Sequence, residues 1–412
     1  MRRWKAVGLA VAVSLLLGGC WNRTELNELG IATATGFDRD DGLWAVTYQV
    51  VVPSAVSSAA GMMSGASSQP AVHVYTTKAK TVFEANNMSN LEYPRRLFVA
   101  HNNAVVISEE VARSGISRII DVYLRQPEAR ETVQLLVTEG RADHILRKLL
   151  PPEKIPGVSI ADILRQETKN TAKMPAVTVH EFALHLVSDA PYTVVPVIEV
   201  SPQDEKGNPA ELETQDIYKE TSPSAKLRLT KLAVFKGDQM VRWMNLKQGS
   251  GLAWMKGDLR NAALSFPSTA GTGDEHEYSS ARIIRASTKL VPRKKGDGFR
   301  MHIEVKARLV LTEVMENNDL AEAGTIREME RQIADKIKRD IENTLEFIQS
   351  EKIDLVGFAD LIHRKFPREW PRVKEDWPEE FSRIDVDVKV KATIIRHGLV
   401  MKSMESLMKG RR

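Results

Sequence analysis

The nearest approach to a catalytic motif among the 412 residues is His180-Glu181 followed by His185. A zinc-protease helix needs histidines four apart, which lie about 40° from alignment; histidines five apart diverge by about 140°. The spacing therefore predicts a helix over 178–187 with two partly exposed histidines and no zinc. Asp38-Arg39-Asp40-Asp41-Gly42 approaches a calcium loop, but its glycine arrives one residue early for D-x-[DN]-x-[DN]-G. A hairpin turn ending in glycine fits it better. No phosphate-binding loop, dinucleotide fingerprint, G-x-S-x-G elbow or S-x-x-K occurs, and the nine histidines are scattered. A pair of carboxylates converging from distant positions stays open. No cofactor is expected, and nothing in the chain requires an enzyme.

Cys20 is the only cysteine. It follows Arg2, Arg3 and Lys5, an apolar run from Ala6 to Leu17, and Gly18-Gly19. Charged start, apolar stretch and small-residue cleavage site make a secretory signal peptide. The run is about a dozen residues, short of the ~20 that cross a bilayer as a helix. Leu17-Gly18-Gly19-Cys20 resembles the bacterial lipobox, whose cysteine receives a diacylglycerol on sulfur and becomes the new N-terminus. An ordinary cleaved signal would leave the lone cysteine placed by chance, and an uncleaved anchor helix would be too short and end in Gly-Gly. Two acyl chains anchor a protein stably where one does not.

With Cys20 lipidated, no thiol remains for a disulfide, a cysteine metal site or a cysteine nucleophile. Loss of Arg2, Arg3 and Lys5 with the leader lowers the formal charge by three, from +4 to +1. That leaves no nucleic-acid footprint. Hydrophobic and charged fractions of 42% and 27% are those of a water-soluble body. The length allows more than one core.

The elements that would carry these residues alternate between strand and helix. Strands are expected at 31–37, 43–52, 72–77, 97–107, 132–138 and 192–200, and helices at 81–91, 111–124, 142–150 and 159–169. Within 97–107, His101-Asn102-Asn103 is a polar insertion, read as a bulge or a satisfied hydrogen-bond cluster in the core. Ser54–Gln69 is a Ser/Ala/Gly-rich surface loop. Ser201–Ser224, interrupted by Pro202, Pro209 and Pro223, is a linker or a long excursion. Beyond it, strands at 226–236 and 239–244 flank Gly237-Asp238, and two long strands span 278–291 and 299–314. In the second of these Met301, Ile303, Val305, Ala307 and Leu309 alternate with polar residues, which gives one core face and one wet face.

From 320 to 351, Ile326, Met329, Ile333, Ile337, Ile341, Leu345 and Ile348 recur every three or four residues. They form one apolar helical stripe suited to packing on a sheet. A shorter helix at 358–366 and a final strand at 384–395 follow. The fold class is therefore α+β: two or three mixed α/β domains with largely antiparallel sheets and one long amphipathic helix near 320–351. The division is a signal peptide at 1–19, an N-terminal domain at 20–200, a linker at 201–225, a C-terminal domain at 226–400 and a basic tail at 401–412. The tail reads as a frayed terminus, or as a contact with anionic headgroups.

Several stretches together resemble the Ger(x)C family of spore germination lipoproteins. Cys20-Trp21-Asn22-Arg23-Thr24-Glu25-Leu26 is similar to the family's mature start, with Asn22 in place of Asp. Leu124-Arg125-Gln126-Pro127-Glu128-Ala129-Arg130 is similar to its Arg-Asp-x-Glu-x-Arg region, with Gln126 for Asp. Ala233–Asp238 resembles the hairpin that opens its C-terminal domain. Gln349, Asp354, Gly357-Phe358, Pro367, Trp370, Trp377 and Phe381 follow the order of its Q…D…GF…P…W…W…F run, and Arg396-His397-Gly398 its Arg-x-Gly. The resemblance implies a multidomain α+β fold, no catalytic residues, and lipidation of Cys20 by S-diacylglycerol and N-palmitoyl groups. It also implies the C subunit of a nutrient germinant receptor in the endospore inner membrane, working beside a multi-spanning A subunit and a permease-like B subunit. Such receptors respond to amino acids, sugars or nucleosides.

The rivals are a solute-binding lipoprotein of an importer and a lipid-anchored wall hydrolase. The first would show two lobes of repeated strand–helix–strand units, and the second a pair of acidic residues in a cleft. For partner contacts the candidates are Arg125, Glu128, Arg130, Trp370 and Trp377, since aromatic residues and arginine are favoured at binding hot spots. Against that, the tryptophans could cap the C-terminal core and the arginines could pair with local carboxylates.

Overall fold

The structure, a computed structural model, describes residues 4, 25, 28–53, 55, 70–170, 174–202, 207–257, 259–267, 278–314, 320 and 322–396. Cys20, nearly all of the Ser54–Gln69 loop and the 401–412 tail lie outside them. The fold is α+β, built on two sheets.

The larger sheet opens with β1 (Leu29–Asp40) and β2 (Leu43–Val51), paired antiparallel from Asp40↔Leu43. Asp41 and Gly42, at φ 48° and 77°, make the tight turn between them, as expected of a two-residue loop that needs left-handed backbone twice. β3 (Val72–Ala79) pairs with β2 and forms one edge. α1 (Val82–Glu92) runs back over the sheet from its Thr81 cap to β4 (Arg96–Phe98), which pairs with the start of β1.

β4 and β5 (Ala104–Ser108) replace the single strand expected over 97–107. The chain turns between them because Asn102 is drawn into the core. Its Nδ2 donates to Thr35 Oγ1 (3.0 Å) and Tyr123 Oη (2.7 Å). The helix expected over 111–124 is likewise two, α2 (Glu109–Ser114) and α3 (Ser117–Arg125). Gly115 separates them at φ 108°, where a Cβ would sit 2.7 Å from Asp238 Oδ2.

β6 (Gln134–Thr138), α4 (Ala142–Leu146), α5 (Pro156–Asn170), α6 (Val179–Leu186) and β7 (Tyr192–Pro202) follow. β8 (Ala225–Lys236) then pairs antiparallel with β7 along its length, and β9 (Gln239–Asn245) pairs with β8. The 201–225 stretch is thus an excursion between two paired strands, in which Leu212 and Ile217 are buried. The first two strands of the expected 226–400 unit extend the larger sheet, and the chain leaves that sheet only after Asn245. Helices cover both faces: Ile119 and Phe182 pack on one, Leu146, Ile160 and Leu164 on the other.

Short helices α7 (Leu246–Gly249) and α8 (Leu252–Lys256) lead to the smaller sheet. This contains β10 (Ala263–Pro267), β11 (Tyr278–Lys295), β12 (Gly298–Glu313) and β13 (Asp385–Arg396) in that order. β12 and β13 run parallel, so the chain must cross over between them. The crossover is α9 (Ala323–Ser350) with α10 (Phe358–Lys365), α11 (Trp370–Val373) and α12 (Trp377–Arg383). The apolar stripe of α9 packs on this sheet, closest to β13, where Ile394 N donates to Glu330 Oε1 (2.8 Å): Met329, Ile333, Ile337, Ile341, Leu345 and Ile348 are buried in one cluster with Met301, Ile303, Val305, Ala307 and Leu309 of β12. The two sheets do not repeat one another, unlike the halves of a two-lobed importer protein. One core cluster bridges them, in which Tyr192, Val194 and Val234 of the larger sheet join the C-terminal residues.

Candidate functional site: the seam between the sheets

Asp354 organises the C-terminal half of the seam. It is fully buried, and its two oxygens accept four hydrogen bonds. Gly357 N (2.8 Å) and Phe358 N (3.0 Å) donate to Oδ1, and Ala359 N (2.8 Å) and Trp377 Nε1 (3.2 Å) donate to Oδ2. The first turn of α10 therefore has its free amides satisfied by one carboxylate. Gly357 adopts φ 80°, a left-handed conformation that glycine takes without strain. Burial pushes the Asp354 carboxyl above its usual range, and the four donors act against that shift.

Gln349, at the end of α9, donates from Nε2 to Phe381 O (3.1 Å) and Ile384 O (2.8 Å). Around it Trp370 and Trp377 meet edge-on at 5.2 Å, and Phe358 lies 5.7 Å from Phe381. Trp370 and Trp377 are 2% and 3% exposed. Both tryptophans are core, which corrects their reading as partner contacts: side chains this enclosed present no surface.

Across the seam, α6 brings up the histidine motif. Thr178 Oγ1 accepts from Glu181 N (3.2 Å), and Glu181 Oε2 accepts from Thr178 N (2.8 Å), a reciprocal cap. Glu181 thus starts a helix. His180 lies 3.4 Å from Glu131 on the outside, and His185 turns inward, so the pair diverges as its spacing dictates. Among the described residues no three His, Cys, Asp or Glu side chains come close enough to hold a metal ion. Asp38, in the would-be calcium loop, instead caps α4 by accepting from Ala142 N (2.8 Å) and Asp143 N (3.0 Å).

Between α6 and α10 lies a cleft of about 400 Å³, lined by Glu181, His185, Tyr192, Lys256, Asp354 and Asp360 among others. Contacts between the loop after α6 and α10 tie the two sides together: Asp189 Oδ2 meets His363 Nδ1 at 2.6 Å, and Asp189 N donates to Asp360 Oδ1 (3.1 Å). Lys256 stays open to water at the wall of the cleft, yet the surrounding protein holds its pKa below the usual value, with Glu181 acting against the shift. Desolvation, and then Lys256, hold His185 at about 4. Sequence reasoning missed this cleft, because Lys256 and Asp354 are 98 positions apart and no spacing links them.

His185 makes folding pH-dependent. In the unfolded chain it takes up a proton near pH 6.5, but in the folded protein only near 4. Acidification through that window therefore favours the unfolded state. Denaturant titrations of His185→Gln are expected to lose stability less steeply than the native protein between about pH 6.5 and 4. Equal slopes would show that His185 is not the group responsible.

The other candidates lie on the larger sheet. Arg125 Nε pairs with Asp121 at 2.8 Å one helical turn away, and Glu128 pairs with Arg96 of β4. Such exposed pairs contribute little to stability. Arg130 is exposed, with no ion pair seen among the described residues. Cys20 lies outside them.

The chain matches two family descriptions in succession. "Spore germination protein N-terminal domain" fits residues 22–200, and "Spore germination B3/ GerAC like, C-terminal" fits residues 230–398. It is 28% identical to spore germination protein KC of Bacillus subtilis over 391 residues, 93% of each chain. It is 23% identical to spore germination protein A3 of the same organism, covering 92% of this chain and 94% of that one. Against GerQC of Bacillus cereus the identity is 21%, covering 95% and 98%. The crystal structure of the GerBC protein superposes with a TM-score of 0.53 at 17% identity, over 88% of this chain and 96% of that chain. That likeness extends to the fold.

Proposed function

The chain belongs to the GerAC-like family of spore germination proteins, and from that premise we propose that it is the lipid-anchored C subunit of a nutrient germinant receptor. It is held by Cys20 on the extracytoplasmic face of the spore inner membrane and assembles there with membrane-embedded A and B subunits. The observation that carries this reading is the succession of the two family domains along nearly the whole chain, beginning two residues after Cys20. The sequence before Cys20 supplies a leader and a lipobox-like site. Among the described residues no helix is long and apolar enough to cross a membrane. Arg130, exposed in the motif turn, is the side chain best placed for a partner.

The test is Cys20→Ala. The variant is expected to leave the membrane fraction of spores, to lack the diacylglycerol mass, and to abolish the response to germinant while vegetative growth continues. Membrane retention of the variant together with an unmodified wild-type cysteine would overturn the anchor. A normal germination response after deletion of the whole chain would overturn the receptor role.

A further inference from the structure

Cys20 and Leu29, the first residue of β1, are nine positions apart, a reach of at most about 30 Å. A hydrogen bond from Glu28 N to Glu25 O (3.0 Å) folds part of that length into a turn. β1 is 12 residues long and runs about 36 Å from Leu29 to Asp40. If β1 stood upright with the β1–β2 turn on the bilayer, Leu29 would be farther from it than the tether can extend. The end of the larger sheet at which β1 begins is within reach.

That end gathers several elements. β2 finishes and β3 starts there, with Val51 opposite Val72, and β4 sets Arg96 opposite Leu29. α1 also finishes there, leaving Leu91 81% exposed. Tyr93 packs flat over Gly30, where a Cβ would come within 2.6 Å of the ring. It stacks on Tyr75 at 5.0 Å and on His73 at 5.7 Å. His73 and Arg96 are exposed and Arg95 is half-buried. Glu92 is exposed beside them and Arg96 is paired with Glu128, which leaves Arg95 as the cation; stacked amphipathic rings beside an exposed leucine and this arginine suit the boundary between water and lipid. There the rings sit at headgroup depth and guanidinium groups donate to phosphate.

We propose that this end of the larger sheet rests on the phospholipid headgroup layer, with Leu91, Tyr93, His73 and Arg95 in contact, given that Cys20 is lipidated as read above. The surface then fixes how the rest of the protein faces its surroundings: the β1–β2 turn points away from the membrane. Glu128 and Arg130, linked to this end through the Arg96 pair, lie close to the bilayer.

The test uses the purified lipidated protein on vesicles of phosphatidylethanolamine and phosphatidylglycerol with no other protein present. Cys20 is blocked by its lipid, so Leu91→Cys and, at the opposite end of β3, Lys80→Cys each carry the only free thiol. Both sites are exposed, and each receives an environment-sensitive fluorophore. With flotation of the protein, a headgroup nitroxide lipid is expected to quench the probe at 91 several-fold more than the probe at 80. Flotation with equal quenching, or stronger quenching at 80, overturns the placement and leaves the anchor standing. Failure to float overturns the anchor and the placement with it. No quenching at 91 on vesicles, but protection of that thiol in spore membranes, overturns lipid contact and assigns the surface to a protein.

Discussion

Asp354→Ala is expected to lose roughly 3–5 kcal/mol of folding stability, because it strips four donors of the one acceptor they share. Three backbone N–H groups and the Trp377 indole N–H point at the carboxylate. Asp354 borders the cleft between α6 and α10 but is only 1% exposed, so water replacing the lost acceptor would have to push in from the cleft past the residues that cover it. Asp354→Asn keeps the shape and one carbonyl oxygen, but its amide NH₂ would face donors; its loss is expected to be smaller than that of alanine yet well above zero. The urea midpoint of the protein, with the m-value checked for constancy, measures both. A midpoint unchanged in Asp354→Ala would mean that the four bonds contribute nothing net.

The same knot shows what the sequence could and could not reveal. The α9 stripe and the β12 alternation were readable because each is a local period: Ile333, Ile337 and Ile341 repeat on a helix, and Met301, Ile303 and Val305 on a strand. The breaks within 97–107 and 111–124 were not, because they depend on distant partners. Asn102 turns inward to reach Tyr123, and the second helix is met at its start by Asp238, more than a hundred residues on. The continuation of the larger sheet into β8 is also non-local, since Pro202 meets Ala225 only after the whole excursion. Asp354, Gln349 and the tryptophans could be located by resemblance, but not assigned a role. Tryptophan and arginine are enriched both in cores and at interfaces, and composition does not separate the two. Burial does, and it moves Trp370 and Trp377 inside while leaving Arg125, Glu128 and Arg130 on the surface. For the family's aromatic run, the outcome is a physical reason for most of its residue types: Gln349, Asp354, Gly357, Phe358, Trp370, Trp377 and Phe381 supply an acceptor, a donor or a ring to one cluster, whereas Pro367 is exposed.

Trp377→Ala turns that distinction into a measurement. A tryptophan on a partner surface could be truncated with the fold intact, and only assembly would suffer. Trp377 is 3% exposed and lies 5.2 Å from Trp370 and 6.2 Å from Phe381. Its removal should leave a cavity costing about 3–5 kcal/mol, as for other buried large aromatics. Trp377→Phe keeps most of the ring volume and loses the bond to Asp354, so a loss near 1 kcal/mol is expected. The two knot positions share a bond and therefore cannot be independent. With Asp354 already alanine, the indole N–H has no acceptor to lose, and Trp377→Phe should then cost less than it does in the native protein. Full additivity of the two substitutions would show that the indole–carboxylate bond carries no energy. A native urea midpoint in Trp377→Ala, together with a failed germination response, would return Trp377 to the surface.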